Sequence, residues 1–224
     1  MKRIFLIMSL LSLSVMGFAQ EDKATLDKAV SPELSALQTA ASLAKYGYAN
    51  YSSTALIEAA KIFAETKAQE GAVVKTSQNT QTGEIKESAV SFKPAQLLAD
   101  AKKFAGKDKV VLAYANQVEK SLKSSSTRGA VGGPRYAEDV VYGKDVNTYT
   151  VKFWANELAQ VGVSGNGNTD LDLYVYDANG NLIGSDSDYS DDCLVRWVPA
   201  WSGTFTIKVV NRGIYNNAFV ILTN

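Results

Sequence analysis

The 224-residue sequence predicts an α+β protein with an N-terminal helical region and a C-terminal antiparallel β-sandwich of jelly-roll type. Before residue 123, apolar residues recur every three or four positions, which predicts about four helices arranged as hairpins. After residue 135, apolar and polar residues alternate, which predicts strands with one buried face. A serine- and glycine-rich stretch, 124–134, separates the two patterns. We expect this stretch to link two domains, 20–123 and 135–224.

Residues 1–19 have the pattern of a secretory signal peptide. A basic start, Lys2-Arg3, precedes an apolar run, and Gly17 and Ala19 occupy the −3 and −1 positions of a cleavage site. The apolar run is shorter than the roughly 20 residues that span a bilayer, so we favour cleavage over a membrane anchor. We therefore expect a secreted or periplasmic protein that has no membrane span after cleavage.

Cap residues predict the starts of the first two helices. Ser31 can cap a helix that begins at Pro32, and Gly47 is its expected end. Serine and threonine at 52–54 can cap a second helix, which we expect to cover 55–69.

The next segment, 70–93, has no sustained period and is rich in polar residues and glycine. It is predicted to be a mobile loop with a weak hairpin at Thr82-Gly83. A third helix is expected from Pro94 to Ala105, and Asp108 can cap a fourth. Since these helices carry apolar faces rich in alanine, we expect them to pack together and to offer a surface for self-association.

The sandwich is predicted from short alternating segments that are separated by turn residues. Residues 168–177 form the central strand, and Asn179-Gly180 supplies the positive φ that a tight turn needs. The other predicted strands are 137–142, 149–154, 159–163, 182–186, 193–198, 204–209 and 216–222. So many short strands in a small domain favour a sandwich or jelly roll.

Several motifs of the C-terminal part occur in a characteristic order. They are Thr169-Asp-Leu-Asp-Leu-Tyr-Val-Tyr-Asp177, Asn179-Gly180, Trp201-Ser-Gly203 before Phe205-Thr-Ile-Lys-Val209, and a closing strand at 215–223. The run 149–224 thereby resembles the bacterial pre-peptidase C-terminal family, a β-sandwich appended to secreted proteases and other exported proteins. The resemblance implies a jelly-roll-like sandwich, export and a non-catalytic role. Some collagenase members of this family are known for calcium and collagen binding.

Composition excludes several kinds of chemistry. The chain has no histidine, which removes Ser-His-Asp and Cys-His catalysis and zinc sites with histidine ligands. Its single cysteine, Cys193, cannot form an internal disulfide, and its alternation with Val195 and Trp197 predicts a buried, inert thiol. Basic and acidic residues balance at 23 each, so loss of Lys2 and Arg3 leaves a net charge of −2. Nucleic acid is therefore not expected as a partner.

Acidic residues are concentrated around the central strand, and neither lysine nor arginine occurs between Lys152 and Arg196. The candidate calcium ligands are Asp170, Asp172, Asp186, Asp188, Asp191 and Asp192. Calcium prefers six to eight oxygen ligands, which such a cluster can provide. Two alternatives stay open: a solvated acidic face, or a carboxylate pair that hydrolyses glycosides.

Aromatic residues of the β domain are candidates for ligand binding. Trp154, Tyr174, Tyr176 and Trp201 are expected off the core face, where aromatic rings can stack on sugars or hold a peptide. The alternative is that they pack against cross-strand neighbours.

Export, a small sandwich and the missing catalytic residue types together predict a non-catalytic binding protein of the cell envelope or secretome. We expect its partner to be a protein or a polysaccharide. Calcium is the one candidate cofactor. A calcium-dependent carbohydrate- or protein-binding module is the alternative, and a carboxylate-based hydrolase ranks third.

Overall fold

The structure, a computed structural model, describes residues 30–66, 69–70, 73–76, 84–86, 90–125 and 135–224. It confirms the predicted fold class, with four helices followed by an antiparallel β-sandwich. The helices are α1 (Pro32–Ala49), α2 (Ser53–Glu65), α3 (Pro94–Ala105) and α4 (Lys109–Ser125). None of the described helices is long and apolar enough to span a bilayer. The predicted signal peptide lies outside the described residues.

The predicted helix starts are confirmed by their hydrogen bonds. The Oγ of Ser31 accepts from the backbone N–H of Leu34 over 3.2 Å, which caps α1. The Oγ of Ser52 accepts from the N–H of Ala55 over 3.4 Å at the start of α2. Asp108 caps α4, because its Oδ1 accepts from the backbone N–H of Val110 and Val111.

Two predicted helix ends are wrong. The second helix ends at Glu65, four residues before the predicted end at 69. The first helix continues past Gly47 to Ala49. A β-carbon at Gly47 would lie 2.4 Å from Cδ2 of Leu56 in α2, so the glycine allows two helices to approach closely and does not end one.

The sandwich consists of two sheets. Its strands are β1 (Gln69–Glu70), β2 (Val74–Lys75), β3 (Arg135–Val141), β4 (Val146–Phe153), β5 (Ala159–Gly165), β6 (Leu171–Tyr176), β7 (Leu182–Asp186), β8 (Asp192–Trp197), β9 (Gly203–Asn211) and β10 (Asn217–Thr223). The first sheet has the order β1-β3-β10-β5-β8, and the second has the order β2-β4-β9-β6-β7. The pairing of β1 with β3 is parallel, and the other neighbours are antiparallel.

Alternation along the strands sends one set of side chains into the space between the sheets. Leu171, Leu173 and Val175 of β6 are fully buried there, as the sequence predicts. Phe153 and Trp197 pack with their rings 4.8 Å apart and nearly perpendicular, and they close one end of this core.

The helices pack on the outer face of the first sheet. Val220 and Leu222 of β10 and Tyr136 of β3 point away from the sandwich interior and share one buried cluster with the helices. Phe63 of α2 lies over Tyr136, with the ring centroids 5.6 Å apart. The helices and the first sheet therefore bury apolar surface together, and the division into two independent domains stays a prediction.

Parts of the segment 70–93 that the structure describes contact the sandwich, and the mobility of the segment stays a prediction. Strand β2 pairs with β4, Glu84 forms a bridge with Tyr215, and Phe92 is fully buried. Unpaired N–H and C=O groups at the edges of a sheet attract extended segments, which explains this pairing. Thr82-Gly83 lies outside the described residues, as does most of the predicted linker. Its first two positions, 124 and 125, belong to α4.

Candidate functional site

Asp172, one of the candidate calcium ligands, forms an ion pair with Arg212. It lies on the outward side of β6, and Nε of Arg212 is 2.5 Å from its Oδ2. The hydroxyl of Tyr174 donates to the same oxygen over 2.9 Å and accepts from Nη2 of Arg212 over 2.8 Å. The hydrogen bond with Asp172 raises the pKa of Arg212, and burial followed by the bond to Asp172 raises the pKa of Tyr174. This triad neutralises a carboxylate that is only 4 % exposed.

Asp191 and Asp192 connect the sandwich to the first helix. Nζ of Lys45 in α1 lies 2.7 Å from Oδ2 of Asp192 and 3.6 Å from Oδ1 of Asp191. Ser164 also donates to Asp192, and Asp191 accepts from the backbone N–H of Gly167 over 2.5 Å. These two carboxylates therefore have a structural role at the contact between α1 and the first sheet.

Asp170 is the candidate ligand with an unsatisfied oxygen. Its Oδ1 is buried and has no hydrogen-bond partner in the described part of the chain. Burial raises the pKa of Asp170, and the negative charges of Asp172 and Asp188 raise it further. Asp186 differs, since its Oδ2 accepts from the backbone N–H of Leu194 over 2.8 Å.

The structure separates the six candidates into smaller groups. Within the described ranges, no three acidic, histidine or cysteine side chains converge as a metal site requires. Calcium binding stays a prediction, and Asp170 is the residue at which it is tested most directly.

The turn after β6 is fixed by a carboxylate. Oδ1 of Asp177 accepts from the backbone N–H of Asn179 and Asn181, each over 2.8 Å, and Gly180 has a φ of 84°. The hydrogen bond from the side chain of Asn181 lowers the pKa of Asp177, with further lowering by the backbone donors. The Asn-Gly turn predicted from the sequence is thereby built around Asp177.

The candidate aromatic residues lie off the core, in two places. Trp154 and Trp201 are 60 % and 47 % exposed, on loops at one end of the sandwich. Tyr174 and Tyr176 are half-buried on the outer face of the second sheet, where Nζ of Lys208 lies 4.9 Å from the ring centroid of Tyr176.

Hydrogen bonds connect the two loops that carry the tryptophans. The backbone N–H of Ala155 donates to Oγ of Ser202 over 2.8 Å, and that of Asn156 donates to the carbonyl of Pro199 over 2.8 Å. Trp154 and Trp201 therefore lie on neighbouring loops, and we call the surface of these two loops the tryptophan surface.

A cavity of about 380 Å³ adjoins Trp154. Its apolar lining comes from Val151 and Phe153, and its charged lining includes Arg135 and Glu157. Sequence reasoning missed Arg135 and Glu157. Arg135 begins β3 in the first sheet whereas Trp154 follows β4 in the second, so no spacing in the sequence brings them together.

Cys193 is a buried residue of the core, as predicted. Its Sγ lies 3.1 Å from the carbonyl oxygen of Leu171. Burial raises the pKa of the Cys193 thiol well above its ordinary value, and the nearby carboxylates, of which Asp186 has the largest effect, raise it further. The thiol is therefore not a nucleophile at neutral pH.

Several solved structures match part of this chain at low sequence identity. The pre-peptidase C-terminal domain of collagenase from Bacillus anthracis is 11 % identical, with a TM-score of 0.34, over 42 % of this chain and 91 % of that one. A periplasmic inhibitor of g-type lysozyme from Aeromonas hydrophila is 18 % identical, with a TM-score of 0.32, over 41 % of this chain and 84 % of that one. A carbohydrate-binding module of lichenase 5A from Cellvibrio mixtus, in complex with cellotriose, is 14 % identical, with a TM-score of 0.26, over 38 % of this chain and 72 % of that one.

No family model matches the chain, and no curated protein matches it. Membership of the family that the sequence motifs resemble therefore stays a prediction.

Proposed function

We propose that this protein is a non-catalytic binding module of the cell envelope or secretome that holds a polysaccharide on its tryptophan surface. The observation that carries the proposal is the exposure of two large indole rings, Trp154 and Trp201, on loops that are hydrogen-bonded to each other. Exposed rings of this size are costly in water, and they commonly mark a binding surface. Flat aromatic faces pack well against the apolar C–H faces of sugar rings.

The position of the tryptophan surface favours an external ligand. The helices pack on the outer face of the first sheet, and Val220 and Leu222 are buried there. Trp154 and Trp201 lie outside that contact and remain exposed. The backbone N–H groups of Ala155 and Asn156 donate hydrogen bonds to the loop of Trp201, so the backbone of both loops is ordered before binding, which lowers the entropic cost of binding.

The available side chains favour binding over catalysis. The chain contains no histidine, and Cys193 is buried. Of the carboxylates that could form a hydrolytic pair, Asp172 is bound by Arg212. Asp170 has a raised pKa, so a hydrolase that uses these two residues is the rival function.

The test is a binding and turnover screen with the purified protein. Immobilised envelope polysaccharides and envelope proteins are the ligands, and soluble oligosaccharides are the substrates for turnover. We expect retention on at least one polysaccharide and no release of reducing ends. Turnover that disappears in Asp170→Asn or Asp172→Asn would establish the rival function, and retention on proteins alone would contradict the polysaccharide ligand.

A further inference from the structure

We propose that the cavity beside Trp154 binds one carboxylate-bearing sugar residue, so that the preferred ligand is an acidic polysaccharide. This inference rests on the proposed function, because it assigns the ligand class of the tryptophan surface. The cavity of about 380 Å³ is within the range of small-molecule sites and is large enough for a single sugar ring.

One cation of the cavity lining is available to an anion. Arg135 and Glu157 are the charged residues that border the cavity together with Lys152, and Lys152 lies between the buried Val151 and Phe153 on the opposite face of β4, with its Nζ over the ring of Trp154. The guanidinium of Arg135 has no hydrogen-bond or ion-pair partner among the residues that the structure describes. A free guanidinium offers two parallel N–H donors, which match the two oxygens of a carboxylate. We therefore expect Arg135 to bind the carboxylate of the ligand.

The remaining lining suits a sugar ring. Val151, Phe153 and Ala159 form an apolar part, and Trp154 stands at the rim with Nζ of Lys152 5.2 Å from its ring centroid. Oγ1 of Thr223 also belongs to a residue of the lining, is buried, and has no partner in the described part of the chain. A uronic acid has an apolar C–H face, hydroxyl groups and a carboxylate, and each has a counterpart here.

The second tryptophan favours a polysaccharide over a peptide that ends in a carboxylate. Trp201 lies on the loop that is hydrogen-bonded to the loop of Trp154, so a second exposed indole is carried by the neighbouring loop. A sugar chain can place one ring in the cavity and stack its neighbour on the next indole. Recognition of a peptide by strand addition would need an exposed strand edge, and neither loop is one.

The experiment compares an acidic and a neutral trisaccharide by calorimetric titration of the purified protein. The probes are trigalacturonate and galactotriose. At low salt we expect trigalacturonate to bind about tenfold more tightly, which corresponds to about 1.4 kcal/mol. This difference should shrink at high salt, because ionic strength screens an exposed ion pair.

Four variants locate the effect. In Arg135→Gln the preference for trigalacturonate over galactotriose should disappear. Arg135→Lys keeps the charge but loses the paired donors, so it should retain part of the preference. Trp154→Ala should weaken both sugars equally, and Lys107→Gln, at an exposed position in the turn between α3 and α4, should behave like the unmodified protein.

The outcomes separate this inference from the proposed function. Equal affinity for both trisaccharides, or a preference that survives in Arg135→Gln, overturns the inference and leaves polysaccharide binding intact. Binding of a short peptide through its terminal carboxylate, dependent on Arg135, overturns the sugar class. Failure of every polysaccharide and oligosaccharide to bind contradicts both proposals. Circular dichroism melts of each variant show whether a loss of binding comes from unfolding.

Discussion

The backbone N–H of Ser31 donates to Oε1 of Gln160 over 2.8 Å. Ser31 is the cap of α1, and Gln160 is a fully buried residue on the face of β5 that points toward the helices. The first N–H groups of a helix have no acceptor within the helix, and here a side chain of the sandwich supplies one. Val220 and Leu222 extend this contact, because both are buried against the helices on the outer face of the first sheet.

Leu222→Ala tests whether the helices stabilise the sandwich. Leu222 is fully buried and faces the helices, while its neighbour Ile221 faces the sandwich interior. Because a buried leucine is lost in either case, we expect Leu222→Ala and Ile221→Ala each to lower the free energy of unfolding by about 2–5 kcal/mol. Urea denaturation, followed by circular dichroism, gives both values.

A separate helical domain would give another result. Leu222→Ala would then lower the free energy of unfolding by well under about 1 kcal/mol, since Leu222 would be exposed to solvent in the separated sandwich. Limited proteolysis supplies an independent check, because separate domains should be cut first in 124–134 or in 70–93. A resistant fragment that spans residue 128 would contradict the predicted two-domain division.

Arg212→Met should destabilise the protein through the carboxylate that it leaves behind. Asp172 is 4 % exposed, so loss of the guanidinium leaves a buried charge with only the hydroxyl of Tyr174 as a donor. We expect the free energy of unfolding to fall by about 1–3 kcal/mol. Lys208→Met is the matched control, since it removes a cation that lies 4.9 Å from the ring centroid of Tyr176.

The double variant Asp172→Asn with Arg212→Met should recover part of this loss, because no unpaired charge then remains. A loss in Arg212→Met no greater than that in Lys208→Met would show that Asp172 does not depend on its partner.

Asp170→Asn should stabilise the protein at neutral pH and not in acid. The pKa of Asp170 is raised in the folded state by burial and by neighbouring carboxylates, so its ionised form disfavours folding. This cost begins as the pH rises through the unfolded-state value, about 3.9, and is complete above the folded-state pKa. Melting temperatures of Asp170→Asn and the unmodified protein should therefore differ at pH 7 and agree at pH 3.

Asp188→Asn tests the cause of this pH effect, because it should reduce the effect without removing Asp170. It removes one of the charges that raise the pKa of Asp170, so an NMR titration should show that pKa moving down. If Asp170→Asn melts at a lower temperature at pH 7 but not at pH 3, the ionised carboxylate stabilises the fold, and our assignment of its environment is wrong.

The predicted calcium site is tested by thermal melts of the whole protein in millimolar calcium and in chelator. Bound calcium stabilises the native state by about 2.7 kcal/mol when its concentration is a hundredfold above the dissociation constant. The prediction requires that calcium raises the melting temperature of the unmodified protein and that Asp170→Asn abolishes this rise. Asp170 is chosen because its Oδ1 is buried and has no hydrogen-bond partner in the described part of the chain. Identical melting temperatures in calcium and in chelator would remove the site.

Local patterns in the sequence were sufficient to predict most of the fold. Alternation placed Leu171, Leu173 and Val175 in the core, and the cap residues Ser31 and Asp108 marked helix starts, because each signal acts over a few residues. The same signals failed where the cause is a distant contact. Gly47 resembles a helix end, yet its small size serves the approach of Leu56 from another helix.

The candidate site was predictable only in part for the same reason. Exposure of Trp154 and Trp201 followed from strand parity and from turn position. The cavity did not, because Arg135 reaches it from the other sheet. Six aspartates close in sequence were candidate calcium ligands, with a solvated acidic face as an alternative, and the fold pairs Asp172 with Arg212 and Asp192 with Lys45. Pairing across sheets and helices depends on register and packing, which the spacing of carboxylates does not encode.

The most direct test of the central claim is the dissociation constant of a retained polysaccharide, measured for Trp154→Ala, Trp201→Ala and the double variant. Tyr189→Ala is the matched control, since Tyr189 is an aromatic residue that is 101 % exposed and lies outside the tryptophan surface. Each tryptophan variant should bind at least about tenfold more weakly, a loss of about 1.4 kcal/mol, while Tyr189→Ala should bind like the unmodified protein. Unchanged affinity in the double variant would contradict the assignment of this surface as the binding site.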